Sequence, residues 1–393
     1  MKKTQPKKGQ LHKTLSHRHR RRIPEILPPV ENASPISASI REDDQSSRSG
    51  LWPIAAALLG TVLLIAAVVA LPLSRRSNGE PATTDRSNTV FPQDIPTPPV
   101  ARALNGGFVD SEANIQAQLV AISIDNALDA RPSSGIDEAL WVFEFPTEST
   151  ITRFLAVYDV LQNVPQIGPV RSIRPFMIDF AQSLGAVPVH SGGSPDALKE
   201  LSNNTPHRVS INEFSQTPYF SRDADRQSPH NLYTALERLR LHPLVQRLTP
   251  TLQSLVWKEQ ANSEEGSTIL TIGYSEPYTV RWAYNPATHQ MDRHEKNGEV
   301  QRTRAGKPII SDTVVIQFTD TKILDAIGRR SIRTLGEGDA MVVANGTMEL
   351  ARWVRKLPND RTTLVDITGS PLPLNPGKIW WTVVSKGTPV TFE

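Results

Sequence analysis

QLVAISID, residues 118–125, is a mostly apolar run closed at both ends by polar residues, and its reading decides the fold. A short continuous apolar run of this kind predicts a strand buried on both faces. Two further runs downstream read the same way: LWVFEF at 140–145 and ITRFLAVY at 151–158. PFMIDFAQSL at 175–184 then places apolar residues at helical spacing, and residues 186–190 return to a strand pattern. SPDALKEL at 194–201 predicts a second helix, since Ser194 can cap it and Pro195 suits its first turn. Residues 231–248 (NLYTALERLRLHPLVQRL) predict a third, bent or ended at Pro243. Strands alternating with helices predict an α/β domain over residues 113–255.

From Trp257 onward the pattern changes. Short β-rich runs recur at 268–274, 278–284, 313–318, 340–344 and 379–384, with turn residues between them. Asn345-Gly346 is a strong hairpin signal, because both turn positions favour positive φ. Residues 256–393 are therefore expected to form a mostly antiparallel, β-rich domain. Trp282, Trp380 and Trp381 read as its core, and Arg293 stands out among them.

Upstream, residues 74–112 hold Pro81, Pro92, Pro96, Pro98 and Pro99 among small polar residues, the composition of an extended linker. Before it, residues 51–73 (LWPIAAALLGTVLLIAAVVALPL) carry no charge, enough to cross a bilayer as a helix. The predicted fold class is thus α+β: an α/β domain followed by a β-rich domain, behind a single transmembrane helix. Residues 1–50 carry eleven Lys/Arg against five acids, a charge of +6. This bias keeps the disordered tail in the cytoplasm and sends the folded part outside, so an uncleaved signal-anchor at the cell membrane is expected.

The whole chain carries +3, which leaves 3 − 6 = −3 for residues 51–393. Without a basic footprint of its own, the folded part is not expected to bind nucleic acid. There is no cysteine, so disulfides, thiolate metal sites, a cysteine nucleophile and a lipid-modified cysteine are excluded. No histidine has metal-binding spacing, and no phosphate-binding glycine loop or nucleophile elbow occurs, so neither metal nor cofactor is assigned.

Chemistry concentrates in the first half. Arg131, Arg153, Arg171, Arg174, Arg222 and Arg226 lie in segments rich in Gly and Pro, accompanied by Asp125, Glu144 and Glu148. In IGPVRSIRP, residues 167–175, two arginines three apart sit between prolines that forbid a regular helix. Clustered guanidinium groups suit phosphates or carboxylates, because the planar fork donates parallel hydrogen bonds. At His190-Ser191-Gly192-Gly193-Ser194 a strand end meets a helix start, whose free N–H groups can take an anion; a plain tight turn fits as well.

These residues also carry a resemblance. Ile124-Asp125-Asn126, Ala130-Arg131-Pro132 with Ser134-Gly135, Glu144 and Glu148, and Ile151-Thr152-Arg153-Phe154 come first. Then follow Ile167-Gly168-Pro169-Val170-Arg171-Ser172 with Arg174, His190 with Gly192-Gly193-Ser194-Pro195, and Pro229-His230-Asn231-Leu232-Tyr233-Thr234. In this order they resemble the YerB-like family of bacterial envelope proteins, whose paired domains have unknown function. Trp282/Tyr284, Arg293 and Leu374-Asn375-Pro376-Gly377 with Trp380 extend the match more loosely. The resemblance implies an extracytoplasmic two-domain protein tethered to a membrane, and it transfers no activity. Many relatives look like lipoproteins, whereas this sequence has no cysteine to acylate.

The sequence thus predicts an anionic cell-envelope ligand held by Asp125, Asn126, Arg131, Glu144, Glu148, Arg153, Arg171, Ser172, Arg174, His190, Gly192, Gly193, Ser194, Arg222, Arg226, His230 and Asn231. Two alternatives stand beside it. One is a hydrolase or transferase on cell-wall phosphate or glycan material, with Asp125 or Glu144 as base. The other is a scaffold that docks a protein partner.

Overall fold

The central strands of one long sheet are buried on both faces, and this explains why they read as unbroken apolar runs. The computed structural model describes residues 100–101, 104–109, 117–149, 151–202, 209–248, 255–258 and 268–393. The strands of the large sheet are β1 (Leu119–Asp125), β2 (Trp141–Pro146), β3 (Thr152–Asp159), β4 (Val187–His190), β5 (Ile211–Asn212), β6 (Thr313–Thr319), β7 (Gly336–Ala344), β8 (Thr347–Arg355), β9 (Thr363–Val365) and β10 (Ile379–Ser385). They lie in the order β9-β8-β7-β6-β10-β2-β3-β1-β4-β5.

Side chains alternate between two cores. Val120, Ile122 and Ile124 of β1 face one core, with Phe154, Ala156, Val142, Ile316 and Trp380. Leu119 and Ala121 face the other, with Leu155, Val157, Phe143, Val315 and Trp381. The second core is covered by helix α1 (Pro175–Ser183) through Phe176, Met177 and Phe180, and Ala197 of α2 (Pro195–Ser202) joins it. The first core is covered by a five-stranded antiparallel sheet, in the order Ile310–Ser311, Gln290–His294, Thr279–Asn285, Ile269–Gly273, Val390–Phe392. Trp282 of that sheet packs edge-on against Trp380 at 5.1 Å.

This architecture corrects the expected fold class. Among the described residues there is no separate N-terminal α/β domain, and the secondary structure is mostly β. In the first half β2, β3 and β1 pair antiparallel, and only β1, β4 and β5 run parallel. The sheet continues into the second half through β10, which pairs parallel with β6 on one side and β2 on the other. Residues 231–248 also depart from a single helix. Leu232–Thr234 pairs antiparallel with Phe220–Arg222, and only the short helices α3 (Leu236–Arg240) and α4 (Pro243–Gln246) follow. Among the described residues no helix is long and apolar enough to cross a membrane. The tail at 1–50, the expected span at 51–73 and most of the linker lie outside the described residues.

The other predicted strands and helices form within a residue or two of their expected bounds, except that the strand expected at 340–344 begins four residues earlier, at Gly336. At the hairpin joining β7 to β8, Asn345 and Gly346 take φ of 52° and 76°, the turn geometry expected of them.

Candidate functional site: an arginine cluster at the end of strand β1

Proline and glycine in the segment 167–174 prevent a helix, and its backbone groups pair sideways instead. The Asp125 N–H donates to the Pro169 carbonyl at 2.8 Å, and the Arg171 N–H to the Ser123 carbonyl at 2.9 Å. On the other edge the Val170 N–H donates to the Leu232 carbonyl, while Ile173 bridges to Gly193. One loop therefore stitches the end of β1, the turn after β4 and the segment at 230–234 together. Arg171, Asp125 and His230 are brought side by side from three distant stretches of sequence.

Asp125 is the centre, with 2% of the residue exposed. Its Oδ2 lies 2.9 Å from Arg171 Nε and 2.9 Å from His230 Nδ1, and those two side chains are 29% and 20% exposed. Beside Asp125 in the β1–β3 register stands Arg153, whose Nη1 donates to the Ser172 carbonyl at 2.9 Å. Arg153 Nη2 reaches Glu148 at 3.3 Å, and Arg174 binds the other oxygen of the same carboxylate through Nε, at 2.6 Å, and Nη2. Burial pushes both Arg153 and Arg174 down to about 10; Asp125 opposes the shift at Arg153, and Arg329 adds to it at Arg174. Two carboxylates thus serve three guanidinium groups.

Around this core lies a polar rim. Ser172 donates to the Ser191 carbonyl, and Ser191 donates to Glu213 at 3.0 Å. The other Glu213 oxygen accepts from Arg222, which also donates to Asn231. Arg226 clamps a neighbouring loop, donating to the carbonyls of Asp129, Arg131 and Pro132 and to the Tyr233 hydroxyl. Sequence reading missed Glu213, which stands in a stretch without motif character.

Other predicted residues lie apart from the cluster. Arg131 donates to Asn126 and pairs with Glu295 of the second half at 2.6 Å. Asn126 donates to Thr152, and Thr152 to Glu144. Glu144 faces the interior, bound by Arg293 Nη2 at 3.0 Å and by the Trp380 indole N–H at 3.0 Å. His190 is 1% exposed between the Gly192 carbonyl and the Ser210 hydroxyl, and burial pushes it down to about 4. The backbone donors at 192–194 are also engaged: the Gly192 N–H with Asn212 Oδ1, the Ser194 N–H with the Ile173 carbonyl. Ser194 Oγ caps α2, accepting from the Ala197 N–H at 3.4 Å. Gly193 packs against Ile173 and Leu198, where a Cβ would come within 3.3 Å of both side chains. Among the described residues no group of three His, Asp or Glu side chains is arranged to hold a metal ion.

The sequence and the fold have counterparts. Residues 105–245 match the protein of unknown function (DUF3048) N-terminal domain, and residues 270–381 match its C-terminal domain. The "Putative lipoprotein YerB" of Bacillus subtilis (strain 168) is 27% identical over 272 residues, covering 67% of this chain and 80% of that protein. The crystal structure of Bacillus subtilis YerB superposes with a TM-score of 0.64 at 25% identity, covering 72% of this chain and 96% of the other. Both domain matches fall in the expected order, and the chain belongs to the YerB-like family with its paired DUF3048 domains.

Proposed function

We propose that the protein works on the outer side of a membrane and binds an anionic ligand at Arg153, Arg171 and Arg174. The carrying observation is the imbalance at the end of β1, where three guanidinium groups share the carboxylates of Asp125 and Glu148. Arg171 ion-pairs through Nε with Asp125 at 2.9 Å, without hydrogen-bond geometry, and keeps 29% of its side chain exposed. A guanidinium fixed at one edge and open at the other offers a pre-oriented donor pair to a phosphate or carboxylate. Arg222, half exposed beside Asn231, adds a further cation at the rim.

Kinship supports the location, since the relative carries the description "Putative lipoprotein YerB". This sequence has no cysteine, so in this reading the uncharged run at 51–73 is the tether. Phosphorylated glycan carriers and wall polymers are the anions such a position offers.

A thermal-shift screen of the full chain in detergent tests the reading, with pyrophosphate, muropeptides and a polymeric phosphodiester as probes. A ligand that binds only the native fold raises the melting temperature. One anion should do so in the parent and fail to do so in Arg171→Ala. An equal shift in both proteins, or none with any probe, sinks the proposal and turns attention to a protein partner.

One contact favours a second reading, hydrolysis or transfer on that ligand. The buried Asp125 holds the half-buried His230 at 2.9 Å, the way a carboxylate orients an imidazole base. Glu144, bound to Arg293 and 1% exposed, is poorly placed for such a role. Turnover lost in Asp125→Asn with binding intact would support catalysis.

A further inference from the structure

Between β6 and β7 the chain makes a small hairpin, Thr321–Ile323 paired with Arg330–Ile332. Its tip shows Ile323, Leu324 and Ile327 at 65%, 53% and 66% exposure. Three large aliphatic side chains within five residues do not stay in water by accident of composition, and such a patch marks a contact surface. The tip is also held in shape. Asp325 Oδ1 accepts the N–H groups of Ile327 and Arg329, its carbonyl accepts from Gly328, and its Oδ2 binds Arg329 Nε. Leu324 N–H closes the loop onto the Arg329 carbonyl at 2.7 Å.

Cations flank the apolar tip. Lys322 is exposed and has no ion-pair partner among the described residues. Arg330 donates to the Ser149 carbonyl at 2.9 Å and meets no carboxylate there. Over residues 320–333 the acids are Asp320 and Asp325, against Lys322, Arg329, Arg330 and Arg333, so the charge is 4 − 2 = +2. An apolar tip in a positive collar complements an anionic lipid surface, with acyl chains below and phosphates around it.

We propose that this hairpin docks on an anionic bilayer, with Ile323, Leu324 and Ile327 entering the interface and Lys322 and Arg330 meeting headgroup phosphates. The hairpin is fastened to the arginine cluster: the Ser149 N–H donates to the Gly328 carbonyl at 3.1 Å, next to Glu148, which holds Arg153 and Arg174. Docking would bring that cluster close to the headgroup layer. The proposal rests on the membrane placement argued above and is independent of whether the arginines bind a ligand.

Because the sequence has no cysteine, Ile327→Cys gives a single labelling position for an environment-sensitive fluorophore in the full chain. Ala287→Cys, in an exposed turn of the five-stranded sheet, is the control. Both proteins are reconstituted in phosphatidylcholine vesicles with and without phosphatidylglycerol. With phosphatidylglycerol present, the label at 327 should shift to the blue, resist aqueous iodide several-fold better than the label at 287, and be quenched by acyl-chain nitroxide. Lys322→Glu or high salt should reverse this. Equal iodide access at both positions would overturn the proposal, and so would shielding of the same size in vesicles of phosphatidylcholine alone. Neither readout depends on an anion at Arg171, so failure here is distinguishable from failure of the ligand site.

Discussion

Glu144 and Arg293 meet at 3.0 Å with 1% of either side chain exposed, and they join the two halves of the chain. Alternation along β2 turns Glu144 to the same side as Val142, towards the five-stranded sheet. Arg293 arrives from that sheet and lies over the Trp380 ring at 4.8 Å. Removing one partner of such a pair strands a buried charge, which costs more than the intact pair contributes.

Arg293→Ala should therefore destabilise the fold by about 3–5 kcal/mol. Glu144→Gln with Arg293→Met should lose clearly less than the sum of the two single changes. Denaturant unfolding followed by tryptophan fluorescence reads this directly, since Trp282 and Trp380 both pack against Arg293. Additive losses would mean that the two side chains are not energetically coupled.

The arginines of the cluster should separate into two kinds. Arg171, partly exposed, should become Ala with little change in melting temperature and a loss of anion binding. Arg153 is 5% exposed and anchors the Ser172 carbonyl and Glu148, so Arg153→Ala should also lower stability, by about 1–3 kcal/mol. Melting curves of the two variants side by side make the comparison.

His190 gives the fold a pH dependence with a defined sign. Burial pushes it down to about 4 from an ordinary value of 6.5, so between those values the unfolded chain binds a proton that the folded chain does not. Stability is complete above about pH 6.5 and falls as pH drops towards 4, by an amount on the order of 3 kcal/mol from this group. Denaturation midpoints between those limits should fall less steeply in His190→Gln than in the parent. Identical slopes would remove His190 from the account.

Gly168 marks the closest approach of the stitched loop to residues 232–233. Its φ is 150°, and an added Cβ would sit 2.8 Å from the Leu232 carbonyl oxygen and 2.9 Å from the Tyr233 ring. Gly168→Ala should push residues 167–171 away from 232–234 and part Arg171 from His230. A stability loss of about 1–3 kcal/mol is expected, with weakened ligand binding. Melting and binding measured on one preparation test both.

Much of this molecule could be read locally. Residues 118–125, 140–145 and 151–158 announce strands because both faces of the sheet are covered, and Asn345-Gly346 announces its turn through backbone preference alone. The partnering of those strands is not local. β10 takes its place between β6 and β2 by pairing residues more than two hundred positions apart with β2, and no periodicity encodes that choice. Composition changes near 255, while the large sheet holds strands from both sides of that point. Residues 231–248 misled because Leu232–Thr234 has helical neighbours yet gains a strand partner in Phe220–Arg222. At the site, motif residues 125, 171 and 230 do converge, while Glu144 and His190 carry motif character for interior reasons. Only tertiary contact tells a charged residue that lines a site from one that closes a core.

The most direct test of the central claim is calorimetric titration of the full chain with pyrophosphate, the parent beside Arg171→Ala and Arg153→Ala. The account predicts saturable binding in the parent that weakens with salt and is lost in both variants while their folded structure persists by circular dichroism. Binding of unchanged affinity in Arg171→Ala would contradict it, and the arginines at the end of β1 would then be structural ion pairs.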